Sequence, residues 1–329
     1  MIDAIRRLSH AHKLLLVLLL LWCLPLAPVA AQTYPSRPLL LVVTGGAGAT
    51  DVLARVVADG AKESLGAIVV ENRPGGNATI AAALVSRAAP DGHTLLMSGN
   101  PNVLGEAMNV PRPYKFFEDF EQVIQLVDLP FLLTVNSESM PVNSLHEFID
   151  FVKARPGKLV YISPGYQAIH FLGMESLKLE AGLDILHVPY KSIGQGVTDM
   201  LAGRVQMVLS GYPAVGPHMK TGKFKMLATI GSRRSPQLPD IPTFAEAGVQ
   251  GVELASWFGL AVPSKTPKNV VTHLNTVFNA VLRKPDVREK LAAQGLDPVG
   301  GTAEEITRRI RGDYERYLRI VKATGLKPE

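Results

Sequence analysis

Twice along the chain a short β-rich apolar run ends in a glycine-containing turn, passes into a helix-like stretch and returns as a second apolar run. That order restricts the fold more than any other feature, because parallel strands need a crossover and the crossover helix must cover a sheet face. The first unit opens with Leu39-Leu40-Leu41-Val42-Val43, closed by the turn Thr44 to Thr50. From Asp51 to Leu65 the residues Leu53, Val57, Ala61 and Leu65 recur every four positions, and Gly66 stops the predicted helix. Ile68 to Val70 is the next strand, Ala78 to Ala88 a second helix, and Thr94 to Met97 a third strand. The second unit has a strand at Leu159 to Ile162 and a helix from Ala168 to Glu180 ended by Gly182. Strands at Ile185 to Val188 and Val205 to Leu209 flank a short helix at Thr198 to Ala202. The residues of the two units do not match, so this is no tandem repeat. The reading is α/β, with two similar lobes rather than one large sheet.

A chain that leaves the first lobe and returns to it needs two crossings. Gln122 to Val135, which holds Pro130, and Trp257 to Val262 are the apolar segments suited to them. Residues 32–124 and 257–329 then form the first lobe and 125–256 the second. Two more helices are expected near the end. One, Asn269 to Arg283, presents Val270, Leu274, Val277 and Val281. The other, Glu304 to Lys322, presents Ile306, Ile310, Tyr314 or Tyr317, and Val321; both would pack back on the first lobe. With 329 residues, 47% of them hydrophobic and 19% charged, the chain can build both cores and is not disordered.

Arg6, Arg7, His12 and Lys13 precede the apolar run Leu14 to Leu24, and Val29-Ala30-Ala31 follows it. This is the layout of a cleavable signal peptide over residues 1–31, which directs the chain to the periplasm. Its removal takes Asp3 against Arg6, Arg7 and Lys13 and lowers the net charge from +5 to +3. Cys23, the only cysteine, goes with it, so thiol catalysis and cysteine-ligated metal are excluded from the mature chain. The basic residues are interspersed with acidic ones and only 6% of residues are aromatic, which excludes nucleic acid as the leading partner.

The first glycine turn carries the strongest chemical signal. Main-chain N–H groups at a strand-to-helix turn, aimed along a helix start, attract an anion. No Gly-Lys-Ser/Thr follows, and Asp51 stands where a dinucleotide fingerprint needs its third glycine, so no nucleotide cofactor is expected. Thr50 and Asp51 also suit helix capping. The turn Ser163 to Ala168 holds the equivalent place in the second lobe, and the pair suggests a cleft with an anion clamp on each wall. Catalytic patterns are missing. Ser98, Ser163, Ser192 and Ser210 lie outside any G-x-S-x-G, and His146-Glu147 lacks the second histidine of a zinc helix. His93, His146, His170, His187, His218 and His273 have no ligand spacing and read as surface or strand residues. Lys191 reads as a solvated or cleft-rim lysine.

Several stretches then point one way. They are Tyr34-Pro35-Ser36-Arg37-Pro38, Thr50-Asp51-Val52-Leu53-Ala54-Arg55, Val70-Glu71-Asn72-Arg73-Pro74-Gly75 and Ala89-Pro90-Asp91-Gly92-His93-Thr94. His187-Val188-Pro189-Tyr190-Lys191, Leu238-Pro239-Asp240-Ile241-Pro242-Thr243, Glu246-Ala247-Gly248 and Trp257-Phe258-Gly259-Leu260 continue the series. In this order they resemble the substrate-binding proteins of the tripartite tricarboxylate transporter family, the Bug-type periplasmic receptors. The resemblance implies a two-lobed periplasmic-binding-protein fold of type II with a hinge of two crossing segments. It also implies a monomer that binds an organic carboxylate and partners with membrane transporter subunits. A periplasmic α/β enzyme acting on a carboxylate and a ligand-presenting sensor subunit are the alternatives.

The site implied by the resemblance gathers Ala47, Gly48, Ala49, Thr50 and Asp51 at the first turn, with Asn77, Ser98 and Asn100 in the same lobe. From the second lobe come Gly165, Tyr166, Gln167 and Ala168, with Tyr190 and Ser210. The family's second-lobe pattern S-x-G-x-G-S-x-x-H-L falls on Ser163 to Leu172, where Gln167 replaces a glycine, Ala168 the serine and Phe171 the histidine. These departures remove a hydroxyl and add a flat ring at Tyr166. The expected ligand therefore has a less polar remainder facing that ring.

Overall fold

A computed structural model describes residues 34–45, 48–231, 233–252 and 254–326. The segment expected to be a signal peptide and Ala47 lie outside the described residues. The fold concerns the unit from Arg37 to Glu329.

The elements run β1 (Leu39–Val43), α1 (Ala49–Leu65), β2 (Ile68–Asn72), α2 (Thr79–Ser86), β3 (Thr94–Gly99), α3 (Asn100–Ala107), α4 (Phe116–Asp119) and β4 (Phe120–Leu129). Then come β5 (Phe131–Asn136), α5 (Leu145–Lys153), β6 (Val160–Ser163), α6 (Ile169–Ala181), β7 (Leu186–Pro189), α7 (Ile193–Leu201), β8 (Met207–Gly211) and α8 (Tyr212–Val215). The chain ends with β9 (Phe224–Ile230), β10 (Ser256–Pro263), α9 (Lys268–Arg283), α10 (Pro285–Ala292), β11 (Asp297–Pro298) and α11 (Ala303–Thr324).

Among the described residues the strands form two sheets, ordered β11-β4-β10-β3-β1-β2 and β7-β6-β8-β5-β9. The two expected lobes are these sheets with their helices. Each keeps a parallel core, β2-β1-β3 in one and β7-β6-β8 in the other. The strands that carry the crossings join antiparallel, so both sheets are mixed: β10 pairs with β3 and β4, and β5 with β8 and β9.

The hinge follows from one proline. Leu129 still pairs with Ser256 in the first sheet, and Phe131 already pairs with Gly211 and Ile230 in the second. Pro130, between them, has no N–H for either ladder. Strand β4 therefore stays in the first sheet five residues beyond the expected break at 124, and β10 re-enters it at Ser256, one residue early. Sequence pattern sees only a continuous apolar run across both strands.

The helices obey the periodicity. In α1 the buried positions are Leu53, Ala54, Val57, Ala58, Ala61 and Leu65, one stripe of a 3.6-residue repeat. Helix α9 packs on α1 and β4, and α11 on α3 and β4, as expected, but α11 also reaches α6 of the second lobe. On α11 it is Tyr317 that is fully buried, while Tyr314 packs at the edge of the core. Helix α6 ends at Gly182, whose φ of 64° is the left-handed conformation that suits glycine. A methyl group on Gly173 would collide with Leu209, so this glycine lets α6 lie close on β8.

Candidate functional site

Three helices begin on one chamber at the lobe junction. Helix α1 starts at Ala49 after Gly48, whose φ of 149° few residues other than glycine adopt. Helix α3 starts at Asn100 after Gly99, and α6 at Ile169 after Ala168. None of the three residues before these starts supplies a side-chain cap. The first N–H groups of a helix have no partner within it, and the aligned peptide dipoles leave a partial positive charge there. Ala49, Asn100, Pro101, Ile169 and His170 all line a cavity of about 280 Å³. Ile193, at the start of α7, lines it too, but there Ser192 Oγ accepts from Gln195 N at 3.3 Å.

The rest of this chamber is largely apolar: Leu129 and Phe131 from the hinge, Pro213 and Ala214 from α8, and Phe258 from β10. Two side chains stand out. Ser210 is fully buried and its Oγ has no hydrogen-bond partner. The His170 ring lies 4.7 Å from Phe131, centroid to centroid, and its buried Nδ1 is likewise unpartnered. Part of the His170 side chain faces the cavity, yet protein surrounds the ring, and that burial pushes its pKa down to about 4. It is therefore a neutral imidazole at pH 7.

A second, outer cavity of about 610 Å³ adjoins the first at Pro101, Ile169 and His170. The turn Gly165 to Ala168 forms one wall and Asn77 stands on the other. The turn is tied from behind. Ser163 Oγ accepts from Gly165 N at 3.1 Å and lies 2.7 Å from His187 Nε2. Tyr166 packs edge-on against Phe171 at 5.1 Å and His187 at 5.0 Å. Burial also lowers the His187 pKa to about 4, so its imidazole is neutral at pH 7.

Most of the residues expected at the site line one or other of the two cavities, and several line neither. Ala49, Asn100 and Ser210 line the inner chamber, and Asn77, Gly165, Tyr166, Gln167 and Ala168 the outer cavity. Gly48 precedes α1 at the chamber's edge in sequence. Thr50, Asp51, Ser98 and Tyr190 stand off both cavities. Asp51 is held by Arg55 at 2.9 and 3.0 Å, and this bond keeps its carboxyl below the usual carboxylate range. Tyr190 donates its hydroxyl to Asp199 at 2.9 Å, and Ser98 Oγ is buried without a partner. Asn100 lines the chamber, but its amide faces inward. Its Nδ2 donates to Tyr317 Oη at 2.6 Å and to Ala255 O at 3.3 Å, and its Oδ1 accepts from Trp257 N at 3.0 Å.

Pattern reading missed the chamber's apolar wall and His170. The histidine is not a surface or strand residue: it sits in the first turn of α6, where side chains of the opening turn face the lobe junction.

The sequence and the two-sheet architecture have counterparts among known proteins. The model of the tripartite tricarboxylate transporter family receptor matches residues 53–326. Protein BugT of Bordetella pertussis is 35% identical over 305 residues, covering 92% of this chain and 93% of its own. The solved structure of R. palustris Rpa4515 with adipate is 34% identical with a TM-score of 0.77, covering 90% of this chain and all of the other. MatC (Rpa3494) from Rhodopseudomonas palustris with bound malate is 27% identical, with a TM-score of 0.73 over 86% of this chain and 99% of its own. This chain belongs to the tripartite tricarboxylate transporter receptor family.

Proposed function

We propose that the chain is a periplasmic receptor that captures an organic carboxylate and passes it to the membrane subunits of a tripartite tricarboxylate-type transporter. The observation that carries this reading is the meeting of three helix starts, at Ala49, Asn100 and Ile169, on one chamber between two lobes; those of α1 and α6 are uncapped, while at α3 Asn102 Oδ1 already accepts from Gly99 N at 3.1 Å and Pro101 has no N–H. Main-chain N–H groups so placed bind a carboxylate by charge-assisted hydrogen bonds without any basic side chain. Adipate in one relative and malate in another support the same ligand class. The lobes are joined by the hinge around Pro130 and the return to Ser256, and they also touch between α11 and α6 and between Gln237 and Asp297. An open form would bind the anion on one lobe and gain the other lobe's donors on closure, so ligand shifts the population toward the closed form. Transport delivery then needs only that the transporter recognise the closed form.

The reading is of a receptor rather than an enzyme. The nearest pair of catalytic type, Ser163 and His187, ties down a turn: Ser163 is fully buried, and His187 Nδ1 has no acidic partner to orient it. The basic and apolar runs before Ala31 support export. A thermal-shift panel of carboxylates against the mature protein tests the proposal, because a ligand that binds only the native state raises its melting temperature. A panel in which no carboxylate moves the transition, with the protein folded, would overturn it.

A further inference from the structure

We infer that a further cavity, beside the hinge, binds a small zwitterion of the α-amino-acid type, its carboxylate on Arg233 and its ammonium group on Asp297. This cavity holds about 230 Å³, shares only Leu129 with the inner chamber and shares nothing with the outer cavity. It lies between the outer strands of the two sheets, β11 of the first lobe and β9 of the second. Leu129, Pro130, Ile230 and Ala255 make up the apolar part of its wall. The polar part carries four arginines and three aspartates, where neither cavity of the cleft is lined by any.

Most of these charges are matched with one another. Arg309 bonds to Asp128 at 2.7 Å, and Arg316 to Asp313 at 2.6 Å. Arg234 pairs with Glu246, outside the cavity, at 2.8 Å and donates to Pro239 O. Thr229 Oγ1 donates to Phe131 O at 3.2 Å. Two charged groups remain. Arg233 is exposed and, among the described residues, makes no hydrogen bond or ion pair; it acts on Asp128 only through space. Asp297 is buried and accepts from the neutral amide of Gln237 at 2.8 Å, with no cation in bonding reach among the described residues. Two donors stand idle on the same wall. Arg316 Nε is buried without a partner, and Ser235 Oγ, which accepts from Gln237 N at 3.3 Å, still has its own proton to give.

A guanidinium receives a carboxylate through two parallel N–H bonds, and the idle donors can add to them. A buried carboxylate whose one donor is neutral takes an ammonium group as its counter-ion. A plain anion would meet three aspartates here, and a plain cation four arginines. A molecule carrying both charges leaves that total unchanged. Its short aliphatic side chain gains from the apolar part of the wall. Arg233 follows β9 and Asp297 belongs to β11, so the occupant spans both lobes, as the bond from Gln237 to Asp297 already does.

Trp257 reports on this cavity: its Nε1 donates to Asp313 at 2.8 Å, and it is the only tryptophan from Gln32 onward. The single indole resonance of isotope-labelled mature protein, followed at pH 7.5 as L-valine is added, should move to saturation. Arg233→Gln and Asp297→Asn should each raise the midpoint about tenfold or more, with native melting curves. Arg233 is exposed, so its variant decides alone if the other is unstable. Isovalerate lacks valine's ammonium group and isobutylamine its carboxylate, and neither should give an Arg233-dependent shift near valine's midpoint. No shift with valine, or an unchanged midpoint in Arg233→Gln, overturns the site. Either single-charge analogue matching valine in an Arg233-dependent way overturns the assignment of a zwitterion.

Discussion

Asn77 of the first lobe donates its Nδ2 to the carbonyl oxygen of Gln167 in the second lobe at 3.1 Å. The bond spans the outer cavity, so it exists only while the lobes are near one another. Asn77 itself is held in the left-handed region, with φ of 47°, and Ala78 follows at 72°. Such backbone is costly outside glycine and is kept where surroundings hold it. Here it turns the amide of Asn77 toward the opposite lobe.

Removing this amide should favour the open form. Asn77→Ala loses one hydrogen bond of about 1 kcal/mol, which weakens a ligand that requires closure about fivefold. Titration should show the loss, and small-angle scattering of the ligand-free variant a larger radius of gyration. Equal affinity and an equal radius would mean that the bond contributes nothing to closure.

Ser210→Ala should separate stability from binding. In the free protein the Oγ is buried and unpartnered, so its removal leaves the melting temperature unchanged or slightly higher. A bound carboxylate would lose a hydrogen bond of about 1–2 kcal/mol, or roughly 5–30-fold in affinity. Thr50→Val, beside the chamber in sequence but lining neither cavity, should change affinity little. A larger loss from the Thr50 variant than from the Ser210 variant would reverse this assignment.

His170 and His187 make stability fall in acid. Burial lowers both pKa values from 6.5 to about 4, so between those limits the unfolded chain binds more protons than the folded one. Stability is complete above about pH 6.5 and declines as pH drops toward 4, by up to about 3 kcal/mol for His170. Melting temperature measured from pH 7.5 to 4.5 should fall, and His170→Phe should flatten the slope. A variant slope equal to the native one would show that His170 is not buried as described.

The hinge depends on Asp313. This buried carboxylate accepts from Trp257 Nε1 at 2.8 Å and pairs with Arg316 at 2.6 Å, while Arg309 bridges toward Asp128 at 2.7 Å. Burial raises the pKa of both Asp128 and Asp313 in spite of these arginines. Asp313→Ala would leave an indole N–H and an arginine without their partner, at a cost of about 3–5 kcal/mol. A drop in melting temperature of roughly 10 °C is expected for a chain of this size. A drop of a degree or two would show that solvent replaces the carboxylate.

Local pattern was enough for the lobes. Leu53, Val57, Ala61 and Leu65 declare their helix, Gly66 and Gly182 their stops, and Pro130 a break between strands. It was not enough for the chamber, whose wall joins Phe131, His170, Ser210 and Phe258 from four separate elements. Side-chain duties were harder still. Asn100 has the chemistry of a ligand donor, but its amide is occupied by Tyr317, 217 positions away, and by the hinge strand. Thr50 and Asp51 follow directly on Ala49, yet a helix turns each successive side chain by about 100° and carries them off the cavity. Nothing in a single sequence reports such distant partners.

The uncapped starts of α1 and α6 bear on how this receptor can change over generations. An N–H belongs to the backbone and survives nearly every substitution at its own position. Mutations at Phe131, Ile193, Pro213 or Phe258 can therefore reshape what accompanies the carboxylate while the capacity to hold an anion persists. A lineage built this way can exchange one nutrient acid for another by single steps, without passing through a form that binds none.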